Sequence, residues 1–328
     1  MGHDTTARLP IVRSIREKLS LLRHGADLRH LPIALRPSDV QLVKLFLLAG
    51  GQGFEITGLD VPASLKPLVI GIRESPKWPY AESHDWRCEV RSLEGARLGS
   101  MTLVPAGRIT LGGVHLALFR PKDGLTVCIG FAERWYRYFL AWRRVRSQRG
   151  KPGLNMSLPD LCALDVYYQR PRPVWFVTVP HAEGFNLFPM DLLDPIDGPD
   201  RLFLALRSTS PSVPYMRRRC AIALSAVPAA LKSAAYALGK HHQAAYEPGA
   251  PLPVPLVRSA TLGLMVPAPA LSVVEWRICD WIEVGSHTCF VADRLSETFQ
   301  AAGEQLAHVS ALLAKYVAAS GKPPLQPV

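Results

Sequence analysis

The sequence predicts a mostly β protein of the α+β class, organised in two parts. Three observations carry this. From Leu68 onward the chain breaks into short runs rich in β-branched and aromatic residues, separated by turn signals. The 29 prolines among 328 residues exceed the usual ~5% and suit short strands and turns better than a long helical bundle. Arg149-Gly150-Lys151-Pro152-Gly153 is the best linker in the chain. It divides an N-terminal α+β domain, 1–150, from a C-terminal domain, 151–328, each within the usual size of roughly 100–200 residues.

Along the N-terminal part, Val12 to Leu19 and then Val40 to Phe46, behind Pro37-Ser38-Asp39, read as amphipathic helices. Gly50-Gly51-Gln52-Gly53 stops the second and lacks the spacing of a dinucleotide fingerprint. Strands are expected at Leu68–Ile72, Trp86–Arg91, Ser100–Val104, Val114–Phe119 and Thr126–Ile129. Gly112-Gly113 and Lys122-Asp123-Gly124 offer turns, the latter a hairpin. Phe131 to Gln148 reads as a helix expected to pack its aromatics on the body and leave its arginines in water.

Composition narrows the function. Thirty-eight Lys+Arg against 27 Asp+Glu give a net charge of +11, which favours anionic partners such as phosphorylated cofactors. A nucleic-acid role rests only on that charge and the 131–148 helix, with no zinc finger or helix-turn-helix present. The six cysteines form no Cys-x-x-Cys pair and suit reduced thiols in a cytoplasmic protein. Neither a signal peptide nor an apolar run near the ~18 residues of a membrane span is present.

The region after the linker carries the chemistry. Val174–Val179 is a strand, and Phe185–Met190 is a second extended piece after a turn. Leu202–Leu206 leads into Arg207-Ser208-Thr209-Ser210-Pro211-Ser212, a basic helix over Val213–Arg219, and the strand Cys220–Leu224. Glu275–Glu283 and Thr288–Ala292 form a hairpin closed by Val284-Gly285-Ser286-His287. The hydroxyls of Ser208, Thr209, Ser210 and Ser212 before a helix, with charge from Arg207 or Arg217, suit a phosphate. Asn186 both donates and accepts, which suits the edge of a polar ring ligand as well as a turn. His241-His242 could line a cofactor's open face, but two histidines fall short of a zinc site. A final amphipathic helix is expected over Ser296–Val317, capped by Ser296.

In this order the pieces resemble the flavin reductase-like family of FMN-binding split barrels, over about Arg172 to Leu295. Thr178 at a strand end, Gly184, Asn186-Leu187-Phe188-Pro189, the Ser/Thr loop, and Gly285-Ser286-His287-Thr288-Cys289-Phe290-Val291-Ala292 carry the likeness. Three positions depart from the family pattern: Ser212 for a threonine, Ser286 for an acid and Ala292 for a glycine. The resemblance implies a C-terminal split β-barrel with flanking helices. It implies FMN held by Thr178, Asn186, Leu187, Arg207, Ser208, Thr209, Ser210, Ser212 and Arg217, with His287 near the reacting atoms. It further implies NAD(P)H as co-substrate and a homodimer. The alternative is a flavin- or haem-binding module without reductase activity, whose N-terminal domain recognises a partner or substrate.

Overall fold

A computed structural model of the chain describes residues 30–36, 41–75, 85–147, 156–182, 184–218, 221–242, 251–325 and 327–328. The Arg149–Gly153 linker and the Val12–Leu19 stretch lie outside these. The fold is mostly β, as the sequence predicts.

The N-terminal half holds β1 (His30–Leu35), β2 (Val43–Ala49), β3 (Gln52–Glu55), β4 (Asp60–Leu65), β5 (Leu68–Arg73), β6 (Trp86–Ser92), β7 (Arg97–Leu111), β8 (Val114–Pro121) and β9 (Leu125–Thr126). Helices α1 (Phe131–Ser147) and α2 (Leu158–Tyr167) follow. All but β1 form one antiparallel sheet in the order β3-β2-β6-β7-β8-β5-β4, with β9 on β7.

The C-terminal half runs β10 (Arg172–Pro173), β11 (Trp175–His181), β12 (Gly184–Met190), β13 (Leu193–Pro195), β14 (Arg201–Arg207), α3 (Val213–Met216), β15 (Ala221–Ala226) and α4 (Lys232–Leu238). Then come β16 (Leu256–Arg258), β17 (Met265–Pro267), β18 (Ser272–Val284), β19 (His287–Phe299), β20 (Gln305–Ser310) and α5 (Ala311–Ala319). Its main sheet, order β12-β11-β15-β18-β19-β14-β13, curls into a half-barrel.

One core cluster, including Val179, Phe188, Leu204 and Phe290, fills the C-terminal barrel. A second lies under the N-terminal sheet, where α2, β20 and α5 also contribute. A third joins the two sheets, Val61, Leu116 and Leu118 facing Phe203, Ala205 and Val291. Helix α2 is held by a capping box between Ser157 and Asp160. Its backbone passes so close to Gly124 that a Cβ there would meet Cys162 and Ala163 at 2.5 Å, which is why that position is glycine.

Five expectations are corrected. The helix expected over Val40–Phe46 is strand β2. Its burial alternates strictly, with Val43, Leu45, Leu47 and Ala49 inward, and Gly50-Gly51 is the turn of the β2–β3 hairpin rather than a helix stop. The final helix expected over Ser296–Val317 is mostly strand, because β20 pairs with β1, from Leu35↔Gln305 to His30↔Ser310. Only α5 is helical, and it is capped by Ser310. Lys122–Gly124 is not a hairpin turn, since β8 and β9 both pair with β7 and the Asp123 carboxylate accepts from the Thr102 N–H at 2.8 Å. The aromatics of α1 do not pack inward: Ala141 alone is buried there, while Phe131 and Trp135 are 72% and 58% exposed. They stack on one another instead, Trp135 against Tyr138 and Phe139 against Trp142. The expected basic helix Val213–Arg219 is the single turn α3.

No helix among the described residues is long and apolar enough to cross a membrane.

Candidate functional site

A cavity of about 240 Å³ opens between the end of β12, β14, the start of β19, the turn after α4, and the end of β4. Its lining includes Leu65, Asp191, Arg207, Gly239, His242 and His287. A neighbouring apolar cavity of about 200 Å³ shares Met190, Asp191, Gly239 and His242 with it and continues to Val174, Leu306 and His308. Together they enter the range of roughly 300–1,000 Å³ typical of ligand sites.

Register brings Arg207 and His287 together. Arg207, the exposed last residue of β14, pairs directly with His287, the first residue of β19. His287 is 3% exposed. Burial, then the Arg207 and Lys66 charges, push its imidazole down to about 4. The ring is therefore neutral at pH 7. Its Nδ1 faces the Leu65 N–H at 3.5 Å and the Ser286 hydroxyl at 3.0 Å. A backbone N–H only donates, so Nδ1 accepts and the proton sits on Nε2. Lys66 is lowered too, by burial first and then by Arg207 and Arg144, so cationic groups converge here.

The remaining candidates form the wall behind the cavity. Thr178 is buried, its hydroxyl donating to the Met265 carbonyl at 2.9 Å, which ties β11 to β17. Asn186 is buried on β12, its amide donating at 3.0 Å to both the Ser212 hydroxyl and the His241 carbonyl. It thereby pins the Ser/Thr loop and the turn after α4 to the barrel. Leu187 is core, and its carbonyl meets His241 Nδ1 at 3.1 Å. Within the loop Ser208 bonds Thr288 at 3.1 Å, Thr209 is exposed, and Ser210 is buried with its hydroxyl unpartnered. Arg217 turns away: it pairs with Glu283, donates to Thr288 at 3.0 Å and lies over the Trp281 ring.

The structure thus gathers Arg207, His287 and His242 on one cavity, with Asn186 and Leu187 as support, and leaves Arg217 outside it. Leu65, Lys66, Asp191 and Gly239 were not foreseen. Leu65 reaches the site from more than two hundred residues away in the chain. Among the described residues no three His, Cys, Asp or Glu are placed to hold a metal ion.

The low imidazole value has a measurable consequence. A histidine whose folded value lies below its unfolded ~6.5 binds its proton less well when folded, so stability falls as pH drops from about 6.5 towards 4. Burial also lowers His181, His241 and His242, so the slope is shared. His287→Gln is expected to remove roughly 2–3 kcal/mol of it, read as denaturant midpoints at pH 7 and pH 4.5. Parallel profiles for the two proteins would rule the burial of a neutral imidazole out.

No protein-family model and no curated protein sequence matches the chain. Among solved structures, the NADH:FAD oxidoreductase SgcE6 of Streptomyces globisporus is similar over 44% of this chain and 85% of its own, at 20% identity and a TM-score of 0.38. The styrene monooxygenase flavin reductase of Pseudomonas putida S12 is similar over 42% and 86%, at 16% identity and 0.37. The FMN-binding protein of Thermus thermophilus is similar over 41% and 75%, at 17% identity and 0.36. Each likeness spans less than half of this chain.

Proposed function

We propose that the C-terminal barrel binds FMN and that the chain is an oxidoreductase of the flavin reductase type, passing hydride from NAD(P)H to the flavin. The observation that carries this is the Arg207–His287 wall of a cavity of ligand size at the barrel rim. An anionic, planar, largely apolar ligand suits it: a cation at one end, apolar Met190, Leu192, Ala205 and Leu206 along the walls. The buried, unpartnered Ser210 hydroxyl beside Arg207 is the sort of group a phosphate would satisfy.

In this reading Arg207 and the Ser208–Ser212 loop hold the phosphate, while Asn186 and Thr178 keep the loop and barrel wall in place. Bound flavin supplies the hydride-accepting chemistry. The neutral His287 is a hydrogen-bond donor from Nε2 at pH 7, not an acid. The exposed aromatic stripe of α1 favours a second reading, a flavin-binding module whose N-terminal half meets a partner.

An absorption spectrum of the purified protein with FMN, followed by anaerobic NADH or NADPH, separates these. Flavin bands that bleach on nicotinamide addition are expected. Bound flavin that does not bleach moves the reading to the module, and failure to bind excess FMN overturns both.

A further inference from the structure

Counted in chain order, strands β2 to β8 lie in their sheet as second, first, fifth, sixth, seventh, fourth, third. The seven strands β11 to β15, β18 and β19 lie in theirs in the same order. Neighbouring strands are antiparallel in both sheets. The sequence repeats as well. Between the fourth and fifth strands of each set runs Ser-Pro-x-x-Pro-Tyr, once at Ser75–Tyr80 and again at Ser210–Tyr215. Each set ends in a hairpin whose two-residue turn opens with glycine: Leu111 pairs Val114 across Gly112, and Val284 pairs His287 across Gly285. Both glycines are left-handed, at φ 54° and 57°.

The two sets meet through like elements. Strand β4 packs on β13 as well as on β14 and β19, and β7 packs on β18; the β4–β13 and β7–β18 contacts are the self-pairing that a two-fold contact produces. Leu111, Leu116 and Leu118 share one core with Val284, Cys289 and Val291, their counterparts by hairpin register. The Gly112 carbonyl accepts from Arg201 at the start of β14, at 3.0 Å. Gly285 sits against Ser64 and Lys66, just before β5, the counterpart of β14.

We propose that the chain is a duplicated barrel whose N-terminal copy acts as a built-in partner subunit, closing the C-terminal cavity with Leu65 and setting Lys66, the next residue, against the Gly285 turn beside it, and that its own equivalent site is lost. Carrying the β5–β8 register on past Arg73 puts Ser75 and Val114 where Arg207 and His287 stand, with Glu74 in place of Leu206; the C-terminal loop is three residues longer before its Ser-Pro-x-x-Pro-Tyr. The second position thus lacks guanidinium and imidazole and carries a carboxylate, which repels an anion. The C-terminal copy alone has a long insertion between its fifth and sixth strands, and this brings Gly239 and His242 to the cavity. The N-terminal copy has only a short turn there, from Leu93 to Ala96. The choice of ligand rests on the flavin reading; the duplication does not.

Full-length Lys66→Gln tests this twice. In titrations with FMN, wild type is expected to bind one per chain and the variant to bind about 10-fold more weakly. Two per chain, or unchanged affinity, would overturn the proposal. Mixing Lys66→Glu with Arg207→Glu chains should restore nothing, because the cavity is completed in cis; restored binding would mean completion in trans and also overturn it. Without FMN, the His287 imidazole followed by NMR should titrate higher in Lys66→Gln, equally at all protein concentrations. An unmoved or concentration-dependent titration counts against closure by the N-terminal copy. If wild type fails to bind FMN, the flavin reading falls and this NMR arm still decides the closure.

Discussion

Arg170→Ala is expected to destabilise the protein by about 3–5 kcal/mol, the cost of stripping the cation from a buried ion cluster. Arg170 stands where the two halves meet. Its guanidinium reaches Asp60 of β4 at 3.1 Å and Asp194 of β13 at 2.6 Å, and lies over the Tyr167 ring. Asp60 is fully buried and also accepts from the Tyr167 hydroxyl at 2.7 Å. Without Arg170 two carboxylates face each other out of water, and the protein must hydrate or protonate them. Burial, offset in part by Arg170, already holds the Asp194 carboxyl up at about 6 in the wild type, and loss of the cation raises it further. The variant should therefore gain more stability, or lose less, than the wild type as pH falls from 7 towards 5, the buried histidines acting against it in both proteins. Urea midpoints at both pH values read this directly. A loss under about 1 kcal/mol, or a variant whose stability changes on acidification just as the wild type's does, would mean that water already reaches the cluster.

The order of the C-terminal strands was legible because their boundaries are written in local turn chemistry. Gly285-Ser286 closes β18–β19, and Arg207 at the end of β14 lands opposite His287 once that hairpin is in register. The N-terminal half was harder. Val43-Lys44-Leu45-Phe46-Leu47-Leu48-Ala49 has apolar residues at both helical and alternating spacings, so only pairing with β3 and β6 decides for strand. The helical spacing of Leu306, Val309 and Leu313 misleads for a related reason. The partner of β20 is β1, more than 270 residues earlier, and no local signal announces it.

The candidate site divides along the same line. Thr178 and Asn186 sit on strands joined by one hairpin, whereas Arg207 and His287 lie eighty residues apart and are joined only by the pairing of β14 with β19. Leu65 and Lys66 arrive through tertiary contact alone. One local trace did exist: the twofold Ser-Pro-x-x-Pro-Tyr marks two copies of one unit, and with it the expectation that each copy covers the other. It is easily passed over, since four identities in six residues weigh little until the strand order is known.

Charge reversal at the cavity mouth should have the largest effect on binding. Arg207→Glu is expected to weaken FMN affinity about 100-fold, roughly 2.7 kcal/mol, by removing a charge-assisted contact and adding repulsion. Arg207 is exposed at the end of β14, so its attraction is partly screened. Wild-type affinity should fall with added salt, and the variant should lose most of that slope. The His287 imidazole, depressed in part by Arg207, should titrate higher in the variant even without ligand. Arg217 supplies the comparison, since it lies five residues beyond the loop but is committed to Glu283, Thr288 and the Trp281 ring. Arg217→Ala should change FMN affinity by less than about 3-fold. Fluorescence-quenching titrations at low and high salt separate the two arginines. Equal effects would mean that net charge rather than the cavity draws the ligand. An Arg217 effect larger than that of Arg207 would move the phosphate to the outer side of the Ser208–Ser212 loop, away from His287.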